Sequence, residues 1–296
     1  MSKNNKFKGT GVAIVTPFNK DSSVDYKSLQ KLVNHIIKDG VEYVVVLGTT
    51  GESVTLSQDE KKSIVKQVVE TVNKRVPVVL GLGGNDTREI VNSLKDKSGF
   101  SGIDAILSVS PYYNKPNQRG IYQHYKAIAE ASPVPVILYN VPGRTGSNIS
   151  ADTTIKLAND FKNIIAIKEA SGSLEQCMKI IKYKPKDFLV ISGDDMLTLP
   201  MIACGADGVI SVVANAFPKD FSEMTRKVLA GNLKEAQKLH YKFTDIIEQI
   251  FADGNPAGIK VVLELLGICK ANVRLPLIKV NKDTQSALEK LVKNLK

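Results

Sequence analysis

Cysteine and histidine are scarce, with three of each among 296 residues. Cys177, Cys204 and Cys269 stand far apart and form no CxxC pair, so they fit reduced thiols rather than a disulfide framework. His35, His124 and His240 are equally isolated, and none sits in the HxH or HxxxH spacing of a protein-built zinc site. A resident metal is therefore not expected, and no cofactor motif takes its place. Long apolar runs are also missing, all falling well short of the ~18–20 residues that span a bilayer. Met1–Thr10 is polar and lysine-rich with no apolar core of a secretory leader behind it. These absences predict a cytoplasmic protein with no membrane partner.

What is present is a full core. Hydrophobic residues make up 43% and charged residues 24%, the mix of a globular domain. The formal net charge is +10, which raises the question of nucleic acid. The lysines are scattered over helical faces, without a basic run, interleaved aromatics or a binding motif, so a solvated basic surface is the better reading. Such a surface mildly steers small anions inward. No nucleic-acid partner is expected.

One pattern recurs along the chain: a short β-rich apolar run ends in small or polar residues, and an amphipathic helix comes next. The runs are Val12–Val15, Tyr43–Leu47, Pro77–Leu82, Ala105–Val109, Val134–Leu138, Ile164–Ile167, Phe188–Ile191 and Val209–Val212. Their spacing of roughly 20–35 residues is that of one βα unit. Apolar runs without strict alternation suit parallel strands buried on both faces. Asp25–Lys38 puts Leu29, Leu32, Val33, Ile36 and Ile37 on one stripe, and Gly40 comes after it as a terminator. Ser57–Thr71 opens with a capping box, Ser57 with Glu60. Eight such units favour an α/β fold, a closed (β/α)8 TIM barrel, over an open sheet. No GxGxxG opens the first helix, and Gly81–Gly84 reads as close backbone packing rather than a phosphate loop. Residues 1–231 are assigned to the barrel and its active site. Residues 232–296 are read as a C-terminal helical appendage, with helices over Lys234–Ala252, Ala257–Leu266 and from Thr284.

In such barrels the chemistry collects at the C-terminal strand ends. Lys168 is the anomaly there, because Ile164-Ile165-Ala166-Ile167 leads straight into it. Alternation puts it on the face of Ala166 and Ile164, pointing into a nearly dry lumen. Burial favours the neutral form of an amine, and a neutral amine attacks a ketone to form an imine. The ordinary alternative is a lysine paired with a carboxylate on a neighbouring strand. Tyr139 ends the fifth strand, with Ile137 and Pro135 on its face, and its phenol can both donate and accept a proton. Gly48-Thr49-Thr50-Gly51 offers hydroxyls and free amides at a tight turn, suited to a carboxylate, although ordinary turn chemistry would look the same.

Six ordered segments carry a resemblance: GTTGES at Gly48–Ser53, PYYN at Pro111–Asn114, YNVPGRTG at Tyr139–Gly146, IKEASG at Ile167–Gly172, SGDD at Ser192–Asp195 and GVISV at Gly208–Val212. Together they resemble the dihydrodipicolinate synthase family. It belongs to the pyruvate-dependent class I aldolases, which also include the N-acetylneuraminate lyases. The likeness runs from Gly9 to about Leu277.

The resemblance implies a lyase in which pyruvate condenses with Lys168 as a Schiff base and then, as an enamine, attacks L-aspartate 4-semialdehyde. The product is 4-hydroxy-tetrahydrodipicolinate, on the route to diaminopimelate and lysine. It further implies a proton relay of Thr50, Tyr139 and Tyr113, with Tyr113 reaching in from a neighbouring subunit of a homodimer or homotetramer. Amides of Thr49 and Thr50 would hold the pyruvate carboxylate, with Gly193 and the Ile210 backbone lining its pocket. Arg144 would grip the semialdehyde carboxylate, a charge-assisted contact. The neuraminate lyases lack that arginine and read GST where this chain reads GTT.

A lysine feedback pocket is implied at Ser53, Asn85, Glu89 and Tyr112. There, sensitive relatives carry histidine at the place of Lys61 and alanine at the place of Val54, so weak lysine inhibition is expected. A second departure, the polar stretch Lys95–Gly102, replaces an alanine-rich helix end. Rival readings are a sugar-acid aldolase, which Arg144 opposes, and a non-catalytic regulator, which the intact Lys168, Tyr139, Tyr113 and Thr50 oppose.

Overall fold

Residues 3–295 are described by the structure, a computed structural model. Eight parallel strands close on themselves in sequence order. They are β1 Gly9–Ala13, β2 Tyr43–Val46, β3 Val78–Gly81, β4 Ala105–Val109, β5 Val136–Asn140, β6 Ile164–Glu169, β7 Leu189–Ser192 and β8 Gly208–Ser211. Pairing of β1 with β8, Gly9 opposite Gly208, seals the barrel. Each predicted run overlaps a strand, with ends displaced by up to three residues. The helices are α1 Tyr26–Lys38, α2 Gln58–Val72, α3 Thr87–Lys95, α4 Gln118–Ala131, α5 Pro142–Thr145, α6 Ala151–Asp160, α7 Leu174–Tyr183, α8 Thr198–Ala203, α9 Pro218–Leu229, α10 Leu233–Ala252, α11 Ala257–Leu265 and α12 Lys282–Leu295.

Helix starts obey the local chemistry. Asp25 caps α1 by accepting from the Ser28 amide, and Ser57 and Glu60 form the reciprocal capping box of α2. Gly40 takes φ +87° just past α1, where a side chain would be strained. The polar stretch after Lys95 is a short 3-10 turn over Lys97–Phe100. The Gly81–Gly84 reading as close packing holds: a Cβ at Gly81 would sit 2.3 Å from the Leu47 carbonyl oxygen.

Two apolar clusters divide the barrel. One lies between strands and helices, and the other fills the lumen with Tyr43, Val45, Val79, Leu107, Ile137, Ala166, Leu189, Ile191 and Ile210. Phe7 meets Tyr43 edge-on at 5.7 Å and closes the N-terminal end. The lumen is thus a packed core below the strand tops.

The expected facing of β6 needs correction. Ile164 belongs to the outer cluster, while Ile165 and Ala166 both belong to the lumen. The cause is a bulge: Val136 pairs with Ile164 but Ile137 pairs with Ala166, leaving Ile165 as an extra residue. A bulge interrupts alternation and re-aims the side chains beyond it. Lys168 and Ala166 still share a face, but Ile164 does not.

Beyond β8, α10 packs on α9 and α12, and α11 packs on α10 and α12. Helix α11 also contacts the turn Val213–Asn215 after β8, so the C-terminal helices reach the rim that carries the strand ends. Among the described residues, no helix is long and apolar enough to cross a membrane.

Candidate active site

Parallel strands bring all eight C-terminal ends to one rim, and the candidate residues lie along it. Tyr139 and Lys168 are directly paired across β5 and β6. Lys168 is only 5% exposed, and its Nζ stands 4.4 Å from the centroid of the Tyr139 ring. The amine therefore faces an aromatic π-face rather than a carboxylate, which is favourable to a cation held there.

The lysine stem runs over Gly193, just past β7. A Cβ at that position would lie 2.9 Å from Lys168 Cε, 3.1 Å from its Cγ and 2.7 Å from Ala170 Cβ. Absence of a side chain at Gly193 is thus a spatial condition for the lysine rotamer. Ile210, on β8, is buried in the same lumen.

Behind the strand tops lies a polar frame that sequence patterns did not reveal. Glu169, adjacent to Lys168 but facing away from it, is buried. It accepts from Asn140 Nδ2 at 3.0 and 3.2 Å, the Ser171 amide at 2.7 Å and Gln176 Nε2 at 2.9 Å. Asn140 Oδ1 in turn accepts from the Ile149 amide at 2.9 Å. The network clamps the ends of β5 and β6 to the loop that bears Arg144. Asp195 does the same for β8: its Oδ2 accepts from the amides of Val212 and Val213 at 3.0 and 2.8 Å. Burial pushes the Asp195 carboxyl up to about 6.

The Thr49–Gly51 turn comes directly after β2. Thr50 is buried, and Thr49 is exposed. Glu52, at the end of the turn, adopts a left-handed conformation, φ 51°, and is fixed by a fully buried ion pair. Glu52 Oε1 lies 2.5 Å from Lys260 Nζ on α11, and its Oε2 accepts from the Arg274 amide at 3.0 Å. Lys260 also donates to the Asn272 carbonyl at 2.8 Å and stands over the Phe18 ring. Asn255, between α10 and α11, donates to Thr50 Oγ1 at 3.0 Å. Nothing in a one-dimensional pattern brings residue 255 to residue 50.

Two predicted residues sit at the outer rim. Arg144, in the short α5, is exposed. Tyr113 is 89% exposed and held at φ +73°, with its amide donating to the Thr145 carbonyl at 3.3 Å. Within a single chain it projects outward. Of the residues implied in lysine feedback, Asn85 donates to the Tyr112 carbonyl at 3.1 Å. Ser53 opens a 3-10 turn, Glu89 is exposed in the first turn of α3, and Lys61 is half-buried on α2. Val54 is 83% exposed.

His124 is buried on α4 with Nδ1 2.8 Å from Thr87 Oγ1, and burial holds it down at about 4. No group of three or more His, Cys, Asp or Glu side chains placed to hold a metal occurs among the described residues.

The family profile described as "Dihydrodipicolinate synthetase family" matches residues 6–295. A 4-hydroxy-tetrahydrodipicolinate synthase from Flavobacterium psychrophilum is 57% identical over 289 residues, covering 98% of each chain. A chloride-inhibited dihydrodipicolinate synthase from Acinetobacter baumannii, solved with pyruvate, is 42% identical. It superposes with a TM-score of 0.94 over 97% of this chain and 98% of its own. A dihydrodipicolinate synthase from Cyanidioschyzon merolae, solved with lysine bound, is 39% identical with a TM-score of 0.94 over 98% of each chain.

Proposed function

The chain belongs to the dihydrodipicolinate synthetase family, and from that premise we propose that it works as a Schiff-base lyase with Lys168 as the nucleophile. It condenses pyruvate with L-aspartate 4-semialdehyde to 4-hydroxy-tetrahydrodipicolinate, in the synthesis of diaminopimelate and lysine.

The Lys168 amine attacks the ketone carbon of pyruvate, and loss of water gives an imine whose positive nitrogen draws electrons from the neighbouring methyl group. Loss of a methyl proton gives the enamine. Its carbon attacks the aldehyde of the semialdehyde, forming the new C–C bond, and the resulting alkoxide takes a proton. The substrate amine then closes the ring and the lysine is released. The π-face of Tyr139 stabilises the charged imine, because the ring is already in place before the charge develops. Protons move through Thr50, Tyr139 and Tyr113, whose hydroxyls both donate and accept. Amides of Thr49 and Thr50 hold the pyruvate carboxylate, Gly193 and Ile210 line its pocket, and Arg144 receives the semialdehyde carboxylate at the mouth. The exposure of Tyr113 supports a homo-oligomer in which this residue enters a neighbour's site. Unpaired cysteines suit a reducing compartment, and we assign the protein to the cytoplasm.

One observation carries the reading: a buried lysine ends an otherwise apolar strand, its stem laid over a glycine and its amine on a tyrosine ring. Sodium borohydride added with pyruvate is expected to reduce the imine and leave a pyruvyl mass on the peptide containing Lys168. Lys168→Ala should take up no label. Labelling of another lysine, or of none, overturns the mechanism.

A further inference from the structure

Thr50 is served by a residue from outside the barrel, and the direction of that hydrogen bond has a consequence for the relay. Asn255 lies in the link between α10 and α11 and is buried, with Nδ2 3.0 Å from Thr50 Oγ1. An amide nitrogen can only donate, so one lone pair of the threonine oxygen is occupied and its proton must point elsewhere. Asn255 Oδ1 has no hydrogen-bond partner among the described residues, so the contact with Thr50 is the only hydrogen bond this side chain makes there.

The link is held firmly in place. On one side, a Cβ at Gly258 would lie 2.3 Å from the Ile250 carbonyl oxygen, so α11 crosses the end of α10 at backbone contact. On the other, Lys260 is locked to Glu52, two residues from Thr50. The same C-terminal segment thus holds the Thr49–Gly51 turn twice, once through the Thr50 hydroxyl and once through the carboxylate of Glu52 just beyond it.

We propose that Asn255 is a positioning residue that makes Thr50 a proton donor towards the reaction centre, by occupying its oxygen with an amide N–H. This inference rests on the relay reading of Thr50 given above. It gives the link between α10 and α11 a part in positioning the relay. The hydroxyl of an unassisted threonine rotates among staggered positions, and the amide removes the one that would aim the proton at Asn255.

The test is a set of variants assayed for kcat and for pyruvate KM. Asn255→Ala should lower kcat about three- to tenfold, the loss of one neutral hydrogen bond, with pyruvate KM little changed. Asn255→Asp, equal in size but an acceptor, should be slower than the alanine variant because its carboxylate claims the Thr50 proton. A merely structural asparagine predicts the opposite order, with the isosteric aspartate the milder change. In a Thr50→Val background, Asn255→Ala should cause no further loss, since no hydroxyl remains to orient. If the aspartate variant fails to fold, as judged by thermal melting, the alanine–valine cycle decides alone. If alanine fails, Asn255→Ser replaces it there. Multiplicative losses in the cycle, or full kcat in Asn255→Ala, overturn the proposal while leaving the Schiff-base reading intact. Wild-type activity in Thr50→Val removes the relay and this proposal with it, yet borohydride labelling of Lys168 would still stand or fall separately.

Discussion

Arg144 and Lys168 show how differently two cations on one rim are treated. Lys168 is buried, fixed by the absence of a side chain at Gly193 and by the ring of Tyr139. Arg144 is solvated, on a four-residue helical turn whose position is set by the Asn140–Glu169 frame. On the proposed reading, the first forms the bond and the second selects what arrives. Arg144→Ala is therefore expected to leave borohydride trapping of pyruvate unchanged. Its kcat/KM for aspartate semialdehyde should drop roughly 10–150-fold, because a charge-assisted contact contributes about 1.5–3 kcal/mol. Steady-state assays varying the semialdehyde at saturating pyruvate measure this, and unchanged constants would reduce Arg144 to an ordinary surface residue. Lys168 itself was legible in the sequence, since an amine directly after four apolar residues has few places to go. Gly193 stood out only as part of a motif, and its reason for being glycine is the lysine stem, which requires coordinates.

At the scale of elements, the strands and helices were readable because their periodicities are set by burial, and the Ser57–Glu60 cap was readable because it is local. The bulge at Ile165 was not, since an extra residue in an all-apolar strand leaves no mark on the pattern. Nor was the pairing of Glu52 with Lys260, which joins the turn after β2 to α11 across the whole chain. That pair is buried on both sides, so removal of one partner strands the other charge. Lys260→Met should destabilise the protein by about 3–5 kcal/mol, read as a lowered midpoint in denaturant unfolding. A midpoint within error of the parent would mean that Glu52 finds a proton or another partner at little cost. Helix α2 carries a second consequence. If the family's lysine site is used, Lys61 puts a fixed charge beside a cationic ligand, and ~6 Å of separation at an effective dielectric of 20 costs on the order of 2–3 kcal/mol. In that site Val54 would add bulk. Lysine is accordingly expected to inhibit weakly, and a titration at saturating pyruvate giving half-inhibition below about a millimolar (~4 kcal/mol of binding) would show that Lys61 turns away.

For the whole molecule, Tyr113 is a candidate residue that a single chain leaves without a task. A bulky side chain at positive φ is uncommon and strained, and such strain collects where geometry matters. Here it projects the ring into solvent at 89% exposure, close in sequence to Tyr112 and beside the loop that ends in Gly146. The sequence suggested the residue through its motif, but direction comes from a backbone angle that no composition encodes. A closed two-fold assembly would let each chain lend its Tyr113 to the other's site. Mixing inactive subunits tests this without a structure of the assembly. On the proposed mechanism, Lys168→Ala lacks the nucleophile and Tyr113→Phe lacks the relay hydroxyl. In a mixed dimer, the site containing Lys168 receives an intact tyrosine from the Lys168→Ala chain and should recover. Random exchange of equal amounts makes about half the dimers mixed, each with one repaired site, so activity should rise to about a quarter of the parent level. If Tyr113 acts within its own chain, every site in the mixture keeps one lesion. Activity after subunit exchange would then stay at the average of the two variants, and the shared-site arrangement would be wrong.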